Sequence, residues 1–193
     1  MNTPTLETNR LVLRRFTPQD LEALYQIYRD REVNRFLPWF PLENLQQAQV
    51  FYAQRYAAKY AQPQGYAYAI CKKEDNFPIG YIKVNMDEAH DLGYGLRKEF
   101  WHQGIVTEAA QAVITQVKRD GLPYLTATHD RDNPRSGGVM KQVGMKYQYS
   151  YEEQWQPKDI PVHFRLWQVD LAPGVPTYRA YWDRYPEHEV EAL

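Results

Sequence analysis

The stretch HDLGYGLRKEFWHQGIVTEAAQAVITQVKR, residues 90–119, decides how this chain folds. Its second half reads as a helix. Val106, Ala109, Ala110, Val113, Ile114 and Val117 recur at the spacing of three and four that gathers one apolar face. Glu108, Gln111, Gln116 and Lys118 fall on the other face. Lys118 and Arg119 suit a last turn, Gly121 a left-handed stop, and Pro123 bars continuation. The first half alternates: Leu92, Tyr94 and Leu96 share one face of a strand, while Gly93 and Gly95 leave the other bare. Gly104 stands where strand gives way to helix. A helix start leaves amides unpaired and gathers positive potential, which suits a phosphate. Glycine there lets an anion approach the backbone closely. An ordinary strand-to-helix turn and close helix packing explain the same glycines, so both readings stand at this point. The segment is neither a P-loop, having no Gly-Lys-Ser/Thr, nor a three-glycine dinucleotide fingerprint.

Working outward, RLVLRRF (10–16) predicts a first strand, and Thr17-Pro18 open a helix from Gln19 to Tyr28. FLPWFPLEN (36–44) is a Pro-broken aromatic loop, followed by a helix from Leu45 to Tyr60. YAYAICKK, PIGYIKVN and HDLGYGL are three strands. Beyond the central helix come the short strand YLTATH, a helix from Pro134 to Val143, and two long strands, MKYQYSYEEQW and VHFRLWQVDL, expected to be antiparallel neighbours. The order predicts a mixed α/β domain with helices packed on a sheet. HDLGYGL and YLTATH flank one helix as a β-α-β unit and are expected to be parallel. The division expected is a domain over 1–172 and an extension over 173–193. That extension, PGVPTYRAYWDRYPEHEVEAL, could be a lid, a dimer arm or a loosely packed end, the last being the default.

Composition narrows the function classes. With 23 Lys and Arg against 24 Asp and Glu, the formal net charge is −1, and no basic stripe recommends nucleic acid or an anionic membrane. Cys71 is the one cysteine, which excludes a disulfide framework or a cysteine zinc cluster. His90, His102, His129 and His163 are too scattered for a zinc site, so no metal is expected. The start MNTPTLETNR lacks the apolar core of a signal peptide, and no run reaches membrane-spanning length, so a cytoplasmic protein is expected, as monomer or homodimer.

The stretch DNPRSGGVMKQVGMKY (132–147) supplies the next clue. Asp132 or Asn133 can cap a helix with Pro134 at its first position. The same placement puts Asn133 and Ser136 near the carboxyl ends of two parallel strands, where ligands bind in open α/β sheets. Taken with LETNRLVLRRFTPQDLEAL, PIGYIKVN and LGYGLRKEFWHQGIVTEAAQAVI, these motifs occur in the order found in one family. From Leu6 to Leu171 the chain resembles a GNAT-fold N-acetyltransferase, and within that family the RimJ/RimL-type ribosomal-protein N-acetyltransferases. The resemblance implies a mostly antiparallel central sheet with one parallel strand pair and helices on both faces.

It also implies acetyl-CoA as co-substrate and a primary amine as acceptor, such as a protein or peptide N-terminus. A small amine (antibiotic, polyamine or amino acid) is the alternative within enzymes, and an acyl-CoA-binding module with weakened catalysis the alternative outside them. By resemblance, Trp101, His102, Gln103, Gly104, Ile105, Val106 and Thr107 hold the pyrophosphate, and the backbone of Tyr94, Gly95 and Leu96 pairs with the pantetheine amides. Asn133 and Ser136 complete the cofactor side. The loop departs from the family pattern: Trp101 and Val106 take its first and last places, and His102 stands where many relatives have glycine.

Amide formation from a thioester needs a neutral amine, donors for the oxyanion, and a proton for the departing thiolate. Many relatives serve the thiol with a tyrosine seven residues after the asparagine; here that place holds Met140, and Ser136 is the substitute. Candidate bases are Glu153 and Glu152 on the strand at 145–155, His90 and Asp91 at the start of the strand at 90–96, or a water chain; Asp91 and Glu153 lead. The aromatic loop at 36–44 and the strand at 145–155 are expected to wall the acceptor pocket.

Overall fold

The computed structural model describes residues 1–193. Two antiparallel sheets form where one was expected. The first orders β1 (Leu6–Glu7), β2 (Leu11–Arg14), β3 (Tyr66–Lys72), β4 (Pro78–Val84) and β5 (Leu92–Leu96). The second orders β6 (Tyr124–Asp130), β8 (Ile160–Asp170), β7 (Lys146–Trp155) and β9 (His188–Glu189). The expected parallel pair survives as a single bridge between Asp91 and Thr126, beside which the Thr126 hydroxyl donates to the Ala89 carbonyl at 2.7 Å. Past that bridge β5 and β6 part, so the free edge of β5 stays unpaired.

The helices pack as their periodicity requires. Helix α4 (Ile105–Arg119) buries Ile105, Ala109, Ala110, Val113 and Val117 against Leu92 and Leu96 of β5 and Leu125 and Ala127 of β6. Helix α5 (Pro134–Gln142) adds Met140 to the same core. The opposite face of the first sheet carries a second core. There α1 (Leu21–Arg29) and α2 (Leu45–Tyr52) pack Leu24, Ile27, Tyr28 and Ala48 on Tyr81, Ala67 and Ala69. The helix expected to run unbroken to Tyr60 contains a π-turn at Ala53–Ala57 before α3 (Ala58–Tyr60). Tyr56 is thereby turned inward, and its hydroxyl meets that of Tyr28 at 2.6 Å. No helix is long and apolar enough to cross a membrane.

The segment after Pro173 is not loosely packed. Tyr178, Tyr181, Trp182 and Tyr185, the last three on or beside α6 (Ala180–Arg184), cover Tyr149 and Tyr151 of β7 and Val162, Phe164 and Leu166 of β8. β9 then pairs with β7, Ser150 opposite Glu189 and Tyr151 opposite His188. Glu191 closes the segment with an ion pair to Arg165 and a bond from the Ser150 hydroxyl. Arg165, above all, holds the Glu191 carboxyl down at about 2.

Candidate active site

The parting of β5 and β6 opens a cleft of about 770 Å³ beside the start of α4. Its walls include Tyr94, Gly95 and Leu96, the whole loop from Trp101 to Thr107, and Asn133 with Ser136 at the start of α5. All the residues assigned to the cofactor side thus share one cavity.

Local chemistry shapes it for an anion. Gly104 is the residue before α4, at φ +72°, and no side chain caps the helix. Glu108 N–H to the Gly104 carbonyl, at 3.0 Å, is the first bond of the helix, so the amides of Ile105, Val106 and Thr107 precede the ladder. A Cβ on Gly104 would meet only the Arg10 Nη2, at 3.6 Å, so the approach to these amides is open. His102 stands at φ +60°, a conformation that glycine takes with the least strain, which gives the departure at that position its physical meaning.

Glu108, which the helical pattern places on the polar face, is instead tied down. Arg10 Nε donates to it at 2.7 Å and the Thr8 hydroxyl at 2.6 Å, while Arg10 Nη1 donates to the Gln103 carbonyl at 2.9 Å. Burial works to raise the Glu108 carboxyl, but the bonds from Thr8 and Arg10 outweigh it and keep it below its ordinary value. Arg10 therefore neutralises the one carboxylate of the first turn and braces the loop. Sequence reasoning missed this pair, which joins positions 98 residues apart.

The free edge of β5 offers backbone groups, though fewer than expected. Asn85 N–H donates to the Asp91 carbonyl and Arg97 N–H to the Ile79 carbonyl, so the odd residues of the strand bond to β4. By the alternation of an antiparallel ladder, Tyr94 and Leu96 face the cleft with their backbone, and Gly95 does not. The Leu96 carbonyl is already taken by the Trp101 indole N–H at 2.8 Å. The bare face of Gly95 accommodates the Tyr81 ring, which a Cβ would approach to 2.5 Å.

Ser136 has a partner that the sequence did not reveal. Its hydroxyl donates to the Tyr94 hydroxyl at 3.1 Å, and the Tyr94 hydroxyl donates to the Ser136 carbonyl at 2.8 Å. Burial pushes the Tyr94 phenol up, so it stays protonated. Met140 lies 1% exposed in the core, away from the cleft. Asn133 is the residue before α5 but makes no side-chain cap.

Asp91 and Glu153 do not line this cleft. Asp91 shares a strand face with Gly93, whose Cβ position is 3.2 Å from Lys83 Cε and 3.9 Å from Asp91 Oδ2. Asp91 Oδ1 is shut off from solvent with no hydrogen-bond partner. Burial, opposed by Lys83, pushes its carboxyl up to about 6. Glu153 sits half-buried on β7 opposite Val162, on the face that carries Tyr151. Trp39 of the aromatic loop lies within reach of both Arg55, at 5.4 Å, and Lys83, at 6.0 Å. Nowhere do three His, Cys, Asp or Glu side chains gather as metal ligands.

Residues 10–146 match the model of the GNAT acetyltransferase domain. This chain belongs to the GNAT acetyltransferase family. Among its relatives is YoaA of Bacillus subtilis (strain 168), named as an uncharacterized N-acetyltransferase, 29% identical over 77% of this chain and 89% of that protein. A GNAT-family acetyltransferase of Bacillus anthracis superposes with a TM-score of 0.75 at 20% identity, over 87% of this chain and 99% of that one. The microcin C7 self-immunity acetyltransferase MccE, solved with acetyl-CoA and AMP, superposes with a TM-score of 0.73 at 17% identity, over 84% and 93%. The protein is accordingly an N-acetyltransferase of the GNAT family that uses acetyl-CoA.

Proposed function

We propose that the protein is a RimJ/RimL-type N-acetyltransferase that modifies the α-amine of a peptide or protein N-terminus. The observation that carries the choice of acceptor is Asp91, a carboxylate with one unpartnered oxygen at the bridge where the two sheets part. A carboxyl raised to about 6 is a modest base. It matches an α-amine, with an ordinary pKa of about 8, better than a lysine side chain at about 10.4. His90, its neighbour in sequence, stands at φ +47° with its ring 5.3 Å from that of Tyr124.

The residues divide the work as follows. The free amides of Ile105, Val106 and Thr107, reached over Gly104, hold the pyrophosphate at the positive end of α4. Tyr94 and Leu96 orient the pantetheine through their outward backbone groups. Acetyl-CoA supplies the activated thioester. Asp91 takes the proton that the incoming amine must lose. The Tyr94 N–H, on the free edge, is a donor for the oxyanion. Ser136, its hydroxyl held by Tyr94, gives the proton that the departing sulfur requires, and Tyr94 stands ready to replace it. This pair takes over the task for which Met140 has no hydroxyl.

The test is coenzyme A release, followed with a thiol reagent, across a panel of amines. Peptides with a free N-terminus should drive release, while polyamines and amino acids should do so weakly or not at all. Release driven best by a polyamine would replace the acceptor in this reading.

A further inference from the structure

The chain after Pro173 reaches the acceptor side of the sheets, and the face it covers is decided by strand parity. On β8, Trp167 and Val169 pack against the core under α4 and α5, while Val162, Phe164 and Leu166 point the other way and receive the C-terminal segment. On β5, Leu92 and Leu96 point into the α4 core, while Asp91 and Gly93 point away from it. The Asp91–Thr126 bridge joins the two outward faces. The two faces adjoin there, on the side of β5 turned away from the α4 core.

The C-terminal segment lies along the β7–β8 part of that surface. Gln168 fixes its start, accepting the Tyr178 N–H at 2.8 Å and donating to the Pro176 carbonyl at 3.1 Å. The Tyr178 ring lies 6.3 Å from Tyr124, the ring that packs on His90, next to Asp91. Tyr181 and Tyr185 both stack on Tyr151, with centroids at 4.9 and 5.1 Å. Glu153 stands two residues from Tyr151 on the same face of β7, beside the rings stacked there, and burial, then the negative charges of Asp91 and Glu153 among others, push the Tyr181 phenol up. Lys158 on the β7–β8 hairpin donates to the carbonyls of Asn34 and Arg35, tying that hairpin to the turn that leads into the loop carrying Trp39.

We propose that Tyr181 and Tyr185 of the C-terminal segment are acceptor-specificity residues, presenting their rings to the ammonium-bearing end of the acceptor beside Asp91 and Glu153. The assignment rests on the acetyl-transfer reading above. Aromatic faces attract a cation, and two carboxylates beside them favour an amine that has no carboxylate of its own nearby. A peptide N-terminus satisfies this condition; a free amino acid does not. The segment thus deepens the choice of acceptor rather than merely stabilising β7.

The experiment is steady-state kinetics on the full chain with acetyl-CoA and a short peptide with a free α-amine and an amidated C-terminus. Tyr181→Leu and Tyr185→Leu, which keep apolar packing but remove the ring, should each raise the acceptor KM about tenfold, the scale of one cation–ring contact. The KM for acetyl-CoA should stay at the wild-type value. Tyr181→Phe, which keeps the ring, should restore the acceptor KM. An acceptor KM unmoved in both leucine variants would overturn the assignment while leaving acetyl transfer intact. Equal rises in both KM values would likewise reduce the segment to a structural role. Failure of the wild type to release coenzyme A with any amine would overturn the transfer reading and this assignment together.

Discussion

Tyr94 and Ser136 hold each other by two hydrogen bonds across the gap between β5 and α5. Each hydroxyl fixes the other in the cleft, and the buried phenol remains a proton donor at neutral pH. Ser136→Ala should lower kcat by roughly ten- to a thousandfold while barely moving the KM for acetyl-CoA. Tyr94→Phe should also lower kcat, by a smaller factor. Because the two groups share one network, the double variant should lose less than the product of the single losses. Additive losses would mean that the two hydroxyls act independently.

Gly104 sets the approach to the α4 amides. Acetyl-CoA at a hundred times its dissociation constant should stabilise the protein by about 2.7 kcal/mol. Gly104→Glu should remove most of that gain, since a carboxylate would then face the pyrophosphate. Arg10→Ala should weaken binding more mildly, by freeing the Gln103 carbonyl and leaving Glu108 without its cation. Calorimetry or thermal melts with and without acetyl-CoA measure both effects; an undiminished shift in the Glu variant would remove the loop assignment.

Asp91 couples activity to stability. Its folded carboxyl, at about 6, lies above the ordinary unfolded value near 3.8, so the fold prefers the protonated form. The contribution of this one group is therefore full below pH 4 and is lost as pH rises through 6, by about 3 kcal/mol at most. Asp91→Asn should melt higher than wild type at pH 7, match it near pH 4, and lose acetyl transfer. The wild-type kcat/KM should rise through pH 6 as the base ionises. A flat profile there, with an active Asn variant, would move the base elsewhere.

Much of this was legible in local pattern. The three-and-four spacing from Val106 to Val117 defined α4, and the alternation around Gly93 and Gly95 defined β5, because each depends on residues close in sequence. The splitting of the sheet was not legible: alternation says which side chains share a face, not which neighbouring strands part after one bridge. The Arg10–Glu108 pair and the Tyr94–Ser136 contact join distant segments and leave no local trace. For the C-terminal segment a signal was present. Tyr178, Tyr181, Trp182 and Tyr185 repeat at helical spacing, but α6 is five residues long and takes its order from the strands beneath it.

Glu191 anchors that segment through Arg165. Its carboxyl, held at about 2 against an ordinary 4.5, contributes stability that is present above pH 4.5 and lost as pH falls toward 2. Acidification across that window should release the segment, seen as faster proteolysis near Arg179 and Arg184. Glu191→Gln should show the same susceptibility at neutral pH and cost about 1–2 kcal/mol in stability. Resistance equal to wild type would show that the aromatic contacts on Tyr149 and Tyr151 suffice.

The central claim is transfer from acetyl-CoA to an α-amine, assisted by a base of only modest strength. Two matched peptides test it most directly: one with a free N-terminus and no lysine, the other blocked at the N-terminus and carrying one lysine. Mass spectrometry of both after incubation with enzyme and acetyl-CoA counts the acetyl groups added over time. The free N-terminus should be acetylated faster, because a larger share of an α-amine is neutral at pH 7. Faster acetylation of the lysine peptide would contradict the account.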